Sequence, residues 1–489
     1  MTVRTRMAPS PTGEYHVGHI RTVLYNYAFS RQNNGKFIIR IEDTDRTRFV
    51  VGATERILDV IGDYGLDWDE GPRKGGEFGP YVQSERLGLY KKYAEDLIQN
   101  GSAYYCFCTK ERLDELRAEQ QKQGLPVTKY DKKCLSLSPE EVQSKLALGT
   151  DYVIRLNIPK DEDITFSDVV MGDITINSND IDDQVLLKSD GYPSYHLGVV
   201  VDDHLMEITH IMRGTDWIPS TPKHVLLYRA FGWEMPKIIH LPNLKELGGV
   251  KKLSKRFGPV SAIEFLKEGY LPEAMLNFLM FLGWNPGTEK EIYSIEEFIK
   301  DFSIERIQRT DLVSFDRQKL LWMNGHYIRS LSPQDLWDRL KSWADKFEVT
   351  LIGRNVKDDL YMVSVVGLIQ ERMKVFTEFN EMTDYFFDEP TVDKATLLEF
   401  VENDNARKNE ILNSFIELFE NTQISNWTRH NLETICHELL ETKSYKPKEA
   451  FMTLRVALTG KKATPQIFDM LPVLGKDIVI TRIKKQISN

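Results

Sequence analysis

Cysteine is scarce in this chain. There are four in 489 residues, at positions 106, 108, 134 and 436, three of them close together. That excludes a disulfide framework and fits reduced thiols. Long apolar runs are also missing. The stretch 274–284 (AMLNFLMFLGW) is shorter than the roughly 20 residues of a membrane-spanning helix. Residues 1–13 carry no apolar core of a secretory signal ahead of their prolines. The expectation is a cytoplasmic chain with no membrane partner. Positive charge is not in excess either: Lys+Arg is 63 against 73 Asp+Glu, a net charge of −10. Such a chain is no general coat for nucleic acid, and a nucleic-acid partner would need a local basic surface.

What is present is an ordinary globular composition, 41% hydrophobic and 28% charged, in a length that suggests roughly three domains. Residues 2–42 have the rhythm of one βαβ unit. Residues 2–8 alternate as a strand, 9–15 form a Pro/Gly loop, and 18–33 carry an apolar helical face, with Gly35 as the expected C-terminal cap. Residues 36–42 (KFIIRIE) return as a strand. Parallel strands joined by helices place ligands at their carboxyl ends, where residues 9–19 and 42–45 would lie. Helices follow at 52–64 and at 84–100, the latter closed by Gly101. Residues 102–185 change texture and read as an insertion with a charged helix at 111–123 and a strand at 152–157. Residues 199–204 (VVVDDH) and 208–212 return to a strand-like pattern. From about 320 the signal is amphipathic helix, for example 360–376 and 406–420.

Two motifs carry chemistry. The first is Pro9-Ser-Pro-Thr-Gly-Glu-Tyr-His-Val-Gly-His19, between the first strand and its helix. Gly18 allows close backbone approach, the helix start offers N–H groups and a positive dipole end to phosphate, and His16 and His19 can donate to phosphate oxygens as charge builds. The second is Lys251-Lys-Leu-Ser-Lys-Arg256. Residues 237–260 hold six basic residues and one acidic, a net +5 inside an acidic chain, flanked by Gly248, Gly249 and Gly258. A charge run alone is ordinarily a solvated face. Lysines on a loop also suit neutralisation of a triphosphate as its transition state forms.

Together the motifs resemble the two signatures of class I aminoacyl-tRNA synthetases, with His16-Val-Gly-His19 like "HIGH" and Lys252-Leu-Ser-Lys-Arg256 like "KMSKS". The segments MAPSPTGEYHVGH, FIIRIEDTDRTR, LLKSDGYPSYHLGVVVDDH, STPKHVLLYRAFGW and LSKRFGPVS resemble the bacterial-type glutamyl-tRNA synthetase family, in that family's order. The resemblance implies an α/β fold: a Rossmann-type parallel-sheet catalytic domain with an α+β insertion, followed by an all-helical region. Its implied divisions are 1–105 and 196–245 for the catalytic halves, 106–195 for an acceptor-stem-binding insertion, 246–325 for a connecting domain, and 326–489 for anticodon binding. It implies His16, His19, Lys252 and Lys255 as the catalytic charge set, and Gly18, Asp216, Leu244 and Lys255 as ATP contacts. Arg6, Ala8, Ser10, Glu42, Tyr195 and Arg213 would form the glutamate pocket. The pocket chemistry is sound on its own terms, because guanidinium forks match a carboxylate and an acid matches an ammonium. Asp216 stands where that family more often has Glu.

The resemblance also implies a zinc site in the insertion. Some members hold zinc by Cys-x-Cys and a later Cys with His two residues on, and here that last position is Ser136. A related pattern has Tyr four residues before the last Cys, which gives Cys106, Cys108, Tyr130 and Cys134. Three reduced cysteines left from a lost site are the alternative. The implied partners are L-glutamate, ATP with Mg2+, the glutamate tRNA and in some members the glutamine tRNA, with a monomeric enzyme. A shorter nucleotidyltransferase, a paralogue modifying a tRNA base, and a non-catalytic RNA-binding paralogue are the rivals. The chain's length, its helical C-terminal region and its two intact motifs argue against them in turn.

Overall fold

The computed structural model describes residues 2–125, 128–249, 253, 260–355 and 357–488. Lys252 and Lys255 lie outside the described residues. The chain divides into two compact units, Met1–Phe265 with Met275–Asp316, and Leu266–Ala274 with Arg317–Asn489.

In the first unit the strands are β1 (Arg4–Met7), β2 (Lys36–Ile39), β3 (Ala103–Cys106), β4 (Val153–Leu156), β5 (Asp163–Asp168), β6 (Gly172–Asn177), β7 (Val185–Leu187), β8 (His210–Gly214), β9 (Lys237–Leu241), β10 (Asn243–Glu246) and β11 (Leu312–Phe315). Six of them form one sheet in the order β2-β1-β8-β9-β5-β6. All neighbours are parallel except β5 and β6, which form an antiparallel pair. β3, β4 and β7 form a separate antiparallel sheet, and β10 pairs in parallel with β11. The strand order reverses at β1, so the crevice beyond the carboxyl ends of β1 and β8 is where such a sheet binds ligands.

β1 reads Arg-Thr-Arg-Met, an unlikely strand for an interior, yet Arg4, Thr5 and Arg6 are all buried. The charges are tolerated because each is paired: Arg4 with Glu70 at 2.8 Å and Arg6 with Asp203 at 3.1 Å. The helix Val17–Gln32 packs Val17, Ile20, Val23, Leu24 and Ala28 inward. Its C-cap is Asn33, and Asn34 takes the left-handed conformation at φ 51°, so Gly35 is not the cap that composition suggests. Gly35 is needed for another reason: a Cβ there would collide with the Val3 carbonyl, which accepts from the neighbouring Lys36 N–H.

Residues 199–204 are not a strand. They lie in the helix Tyr195–Leu205, whose residues 196–203 are all buried. Three consecutive valines favour strand locally, but a short apolar run reads alike for a buried helix and a buried strand, and burial on both sides decided for helix. Met275, Met280 and Trp284 are core residues, as their composition suggests.

The second unit is helical among its described residues. One core gathers Trp337, Leu340, Trp343, Met362 and Phe379; another gathers Phe415, Phe419, Trp427, Leu454 and Met470. Each such side chain contributes about 1.5–3 kcal/mol on burial. The indole N–H groups are satisfied inside: Trp343 on the Leu266 carbonyl at 2.9 Å and Trp427 on that of Leu471 at 3.0 Å. The helix expected over 360–376 is shorter, Asp359–Ile369, with only a single turn at Phe376–Glu378 beyond it. Cys436 is buried in this unit, and burial pushes its thiol up to about 12, which leaves it inert.

Candidate active site and a cysteine cluster

His16 caps the helix Val17–Gln32, its Nδ1 accepting from the Gly18 N–H at 2.9 Å. That bond fixes the imidazole at the helix start, and the His16 and His19 rings stand 6.1 Å apart. A Cβ on Gly18 would lie 3.2 Å from His16 Nδ1 and 3.6 Å from Leu244 Cδ1. Glycine here keeps the helix start open between His16 and β10. The chain returns to this point twice: Leu253 N–H donates to the Leu244 carbonyl at 2.7 Å, and Val17 N–H donates to the Val260 carbonyl at 2.8 Å. Asp216 sits in the short turn after β8 and is exposed. Its carboxylate and Asn243 Oδ1 occupy the space a side chain at Gly214 would need.

The second cluster lies at the ends of β1 and β2. The Glu42 N–H donates to the Pro9 carbonyl at 3.0 Å, which holds the segment of Ala8 and Ser10 beside Glu42. Arg40 donates to Glu42 at 3.0 Å and to Asp203 at 2.7 Å. Asp203 also accepts from Nε and Nη2 of Arg6. Burial alone would raise the Asp203 carboxyl, but Arg6 and Arg40 more than offset it and hold it below the ordinary range. Burial wins at Glu42 and pushes it up to about 7, although Arg40 and Arg6 pull it down. The folded chain therefore keeps a proton that the unfolded chain has released, and this group subtracts stability as pH rises between about 4.3 and 7. A buried acid half-ionised near neutrality is suited to receiving an ammonium group.

The third cluster surrounds Arg213 on β8, which is 6% exposed. Its Nη1 lies 3.2 Å from Tyr195 OH and 3.3 Å from His224 Nδ1, its Nη2 donates to Thr221 Oγ1 at 2.7 Å, and its Nε donates to His240 Nε2 at 3.2 Å. Burial lowers His224 well below its usual range and His196 to about 3, so both rings are neutral at physiological pH. Arg213 and Tyr195 are thus brought together, as are Arg6 and Glu42 through Arg40 and Asp203. Arg40, His224 and His240 are neighbours of these clusters that the sequence reading did not single out, whereas the Asp202-Asp203-His204 run was expected to support the pocket. The two acidic groups of the 202–203 pair and the alternating Arg40-Ile-Glu42 were the available signals. His204 of the same run points elsewhere and stacks on Trp233 at 3.7 Å.

Residues 106–134 hold a sulfur cluster. The Sγ atoms of Cys106, Cys108 and Cys134 lie within 4.8 Å of one another. Tyr130 OH is 3.4 Å from Cys106 Sγ and 3.3 Å from Cys108 Sγ, and Cys108 and Cys134 are 3.6 Å apart. Tetrahedral zinc with Zn–S near 2.3 Å needs sulfurs about 3.8 Å apart. The set fits. The Phe107 N–H donates to Cys134 Sγ at 3.4 Å and Arg112 approaches Cys108 Sγ at 3.6 Å, as donors do around thiolate ligands. Ser136 instead donates to the Lys133 carbonyl and is outside the cluster.

Residues 2–322 match the family "tRNA synthetases class I (E and Q), catalytic domain". The chain belongs to that family. Residues 335–487 match an anticodon binding domain. Similar proteins include the glutamate–tRNA ligases of Finegoldia magna, 42% identical over 99% of both chains, and of Alkaliphilus metalliredigens, 42% identical over 99% of this chain and 98% of that one. Among solved structures, a glutamate tRNA ligase from Elizabethkingia meningosepticum in complex with its amino acid superposes with a TM-score of 0.90 at 34% identity, covering both chains completely. The glutamate-tRNA synthetase of Elizabethkingia anophelis gives 0.88, with the same identity and coverage. No helix among the described residues is long and apolar enough to cross a membrane.

Proposed function

We propose that this synthetase is a glutamate–tRNA ligase. A glutamate α-carboxylate oxygen attacks the α-phosphorus of ATP, the bond to the β-phosphate oxygen breaks, and pyrophosphate leaves. The terminal ribose hydroxyl of the tRNA then attacks the acyl carbon, losing its proton, and AMP leaves. The full-length similarity to glutamate–tRNA ligases carries this reading. The chemistry of the clusters supports it: two guanidiniums for carboxylate, a buried acid for ammonium, and imidazoles at a helix start for phosphate. In this reading Arg6, Ala8, Ser10, Glu42, Tyr195 and Arg213 hold glutamate, and Gly18, Asp216 and Leu244 hold ATP. His16 and His19, with Lys252 and Lys255, carry the charge that develops on the phosphates. Mg2+ accompanies ATP as a counter-ion. Catalysis is positioning and electrostatic stabilisation, with no covalent enzyme intermediate. The protein works as a cytoplasmic monomer, residues 106–195 meet the acceptor stem, and the helical region from 326 reads the anticodon.

The test is charging of purified glutamate and glutamine tRNAs with labelled glutamate and ATP. Label on the glutamate tRNA is expected. Label on both would make the enzyme non-discriminating and require a later amidation, and label on neither would refute the proposal. The raised Glu42 gives a pH signature. The KM for glutamate should fall roughly tenfold between about pH 6 and pH 8, as Glu42 ionises to meet the ammonium. In Glu42→Gln that slope should vanish, and a slope that persists would remove Glu42 from the pocket.

Zinc in the insertion belongs to the same proposal. Cys106, Cys108, Cys134 and Tyr130 would hold it, and it would fasten the knuckle as a structural ion. Metal analysis should find about one zinc per chain. Cys108→Ser should lose most of it and lower the melting temperature of the first unit. Protein purified without chelators and free of zinc would show the cluster to be three plain thiols.

A further inference from the structure

We propose that Asp168 and His240 form a positioning pair that aims Arg213 and leaves its charge for the substrate carboxylate. The inference rests on the glutamate pocket proposed above and names two residues that set its selectivity.

Asp168 ends β5 and His240 lies on β9; both side chains are fully buried. One Asp168 oxygen accepts the His240 backbone N–H at 3.0 Å and faces His240 Nδ1 at 2.8 Å. The other oxygen accepts the N–H groups of Val170 at 2.9 Å and Met171 at 2.7 Å. Four donors fix this carboxylate. A ring nitrogen at that distance from a carboxylate carries the hydrogen, so in the neutral ring Nε2 keeps its lone pair. That lone pair faces Arg213 Nε. The other tautomer would set two N–H groups against each other.

The remaining partners follow the same logic. Arginine only donates, so His224 Nδ1 accepts; its Nε2 then carries the hydrogen and donates to His196 Nδ1 at 3.1 Å. Tyr195 OH accepts from Arg213, which leaves the phenolic hydrogen to be donated elsewhere. Among the described residues, every hydrogen-bonding partner of Arg213 is uncharged. Arg6 and Arg40 differ, since each is bonded to a carboxylate. A buried guanidinium held only by neutral groups has its charge undischarged. It favours an anionic side chain over the amide of glutamine, because only the anion neutralises it. Asp168 supplies rigidity at one remove, with the imidazole between its charge and the guanidinium.

The experiment compares His240→Leu, His240→Gln, Asp168→Asn and Arg213→Gln with the unaltered enzyme, by tRNA charging and thermal melting. His240→Leu should raise the KM for glutamate about tenfold or more, while the KM for ATP stays within about twofold. His240→Gln places an amide oxygen near the Nε2 position and should recover most of the loss. Asp168→Asn retains the volume, frees the tautomer, and should give the same split if the leucine variant does not fold. Both KM values rising together, or a glutamate KM that does not move, would overturn the positioning role. Arg213→Gln separates the two layers: a large effect there with none at His240 refutes the pair alone, and no effect at Arg213 refutes Arg213 as the carboxylate's partner, on which the pair rests.

Discussion

Replacing Arg213 with glutamine is expected to lower kcat/KM for glutamate on the order of 10³-fold in tRNA charging, with the KM for ATP little changed. The side chain is buried, its neighbours are neutral, and the substituted amide carries no charge for the substrate carboxylate. The sites that reject most strongly are those whose buried polar groups are left unpaired by the wrong partner. Glutamine should not replace glutamate in this variant, because the His224 and His240 imidazoles and Tyr195 remain arranged for a guanidinium. A loss below about tenfold would show that Arg6 carries the recognition, despite its bond to Asp203.

Replacing Asp203 with alanine is expected to destabilise the first unit by about 3–5 kcal/mol. Asp203 is the shared acceptor of Arg6 and Arg40, and Arg40 is completely buried. Removing it leaves two guanidiniums inside with less compensation. Urea unfolding followed by a probe within the first unit checks this, and a change below about 1 kcal/mol would mean that water or Glu42 takes over. The pH sense follows from the depressed carboxyl. Its contribution is present above the unfolded value of about 3.9 and is lost as pH falls below that through the folded value. The difference between Asp203→Asn and the unaltered protein should therefore shrink in acid.

The parts of the fold that were legible in the sequence are those where local chemistry and tertiary position agree. The helix at 17–32 announces itself by its apolar face and the glycine at its start, and the strand at 36–39 by its β-branched run. The helix Tyr195–Leu205 was not legible, because Val199–Val201 prefer strand and only burial on both faces makes them helical. Gly35 shows the same limit: its need is a distant carbonyl, at Val3, and no pattern along the chain encodes that approach. In the site, Arg6, Glu42, Tyr195 and Arg213 were readable through the resemblance. Asp168, His240 and His224 were not, because their partners come from elsewhere in the chain: Asp168 meets His240 across 72 residues, and His224, in the helix Thr221–Phe231, meets His196 across 28. The sulfur cluster lay between the two cases, since its spacing was readable but the reach of Tyr130 to both Cys106 and Cys108 was a matter of folding.

The helix Tyr195–Leu205 also sets a timetable. Arg40 and Asp203 are 163 residues apart in sequence, and Arg86 reaches Asp202 across 116. During synthesis at 5–20 residues per second, the ribosome needs roughly 8–30 s to deliver the carboxylates after the first guanidinium has emerged. Through that interval Arg40 has Glu42 within reach but not Asp203, so the carboxylate that Arg6 and Arg40 share joins them only after the helix Tyr195–Leu205 has been made.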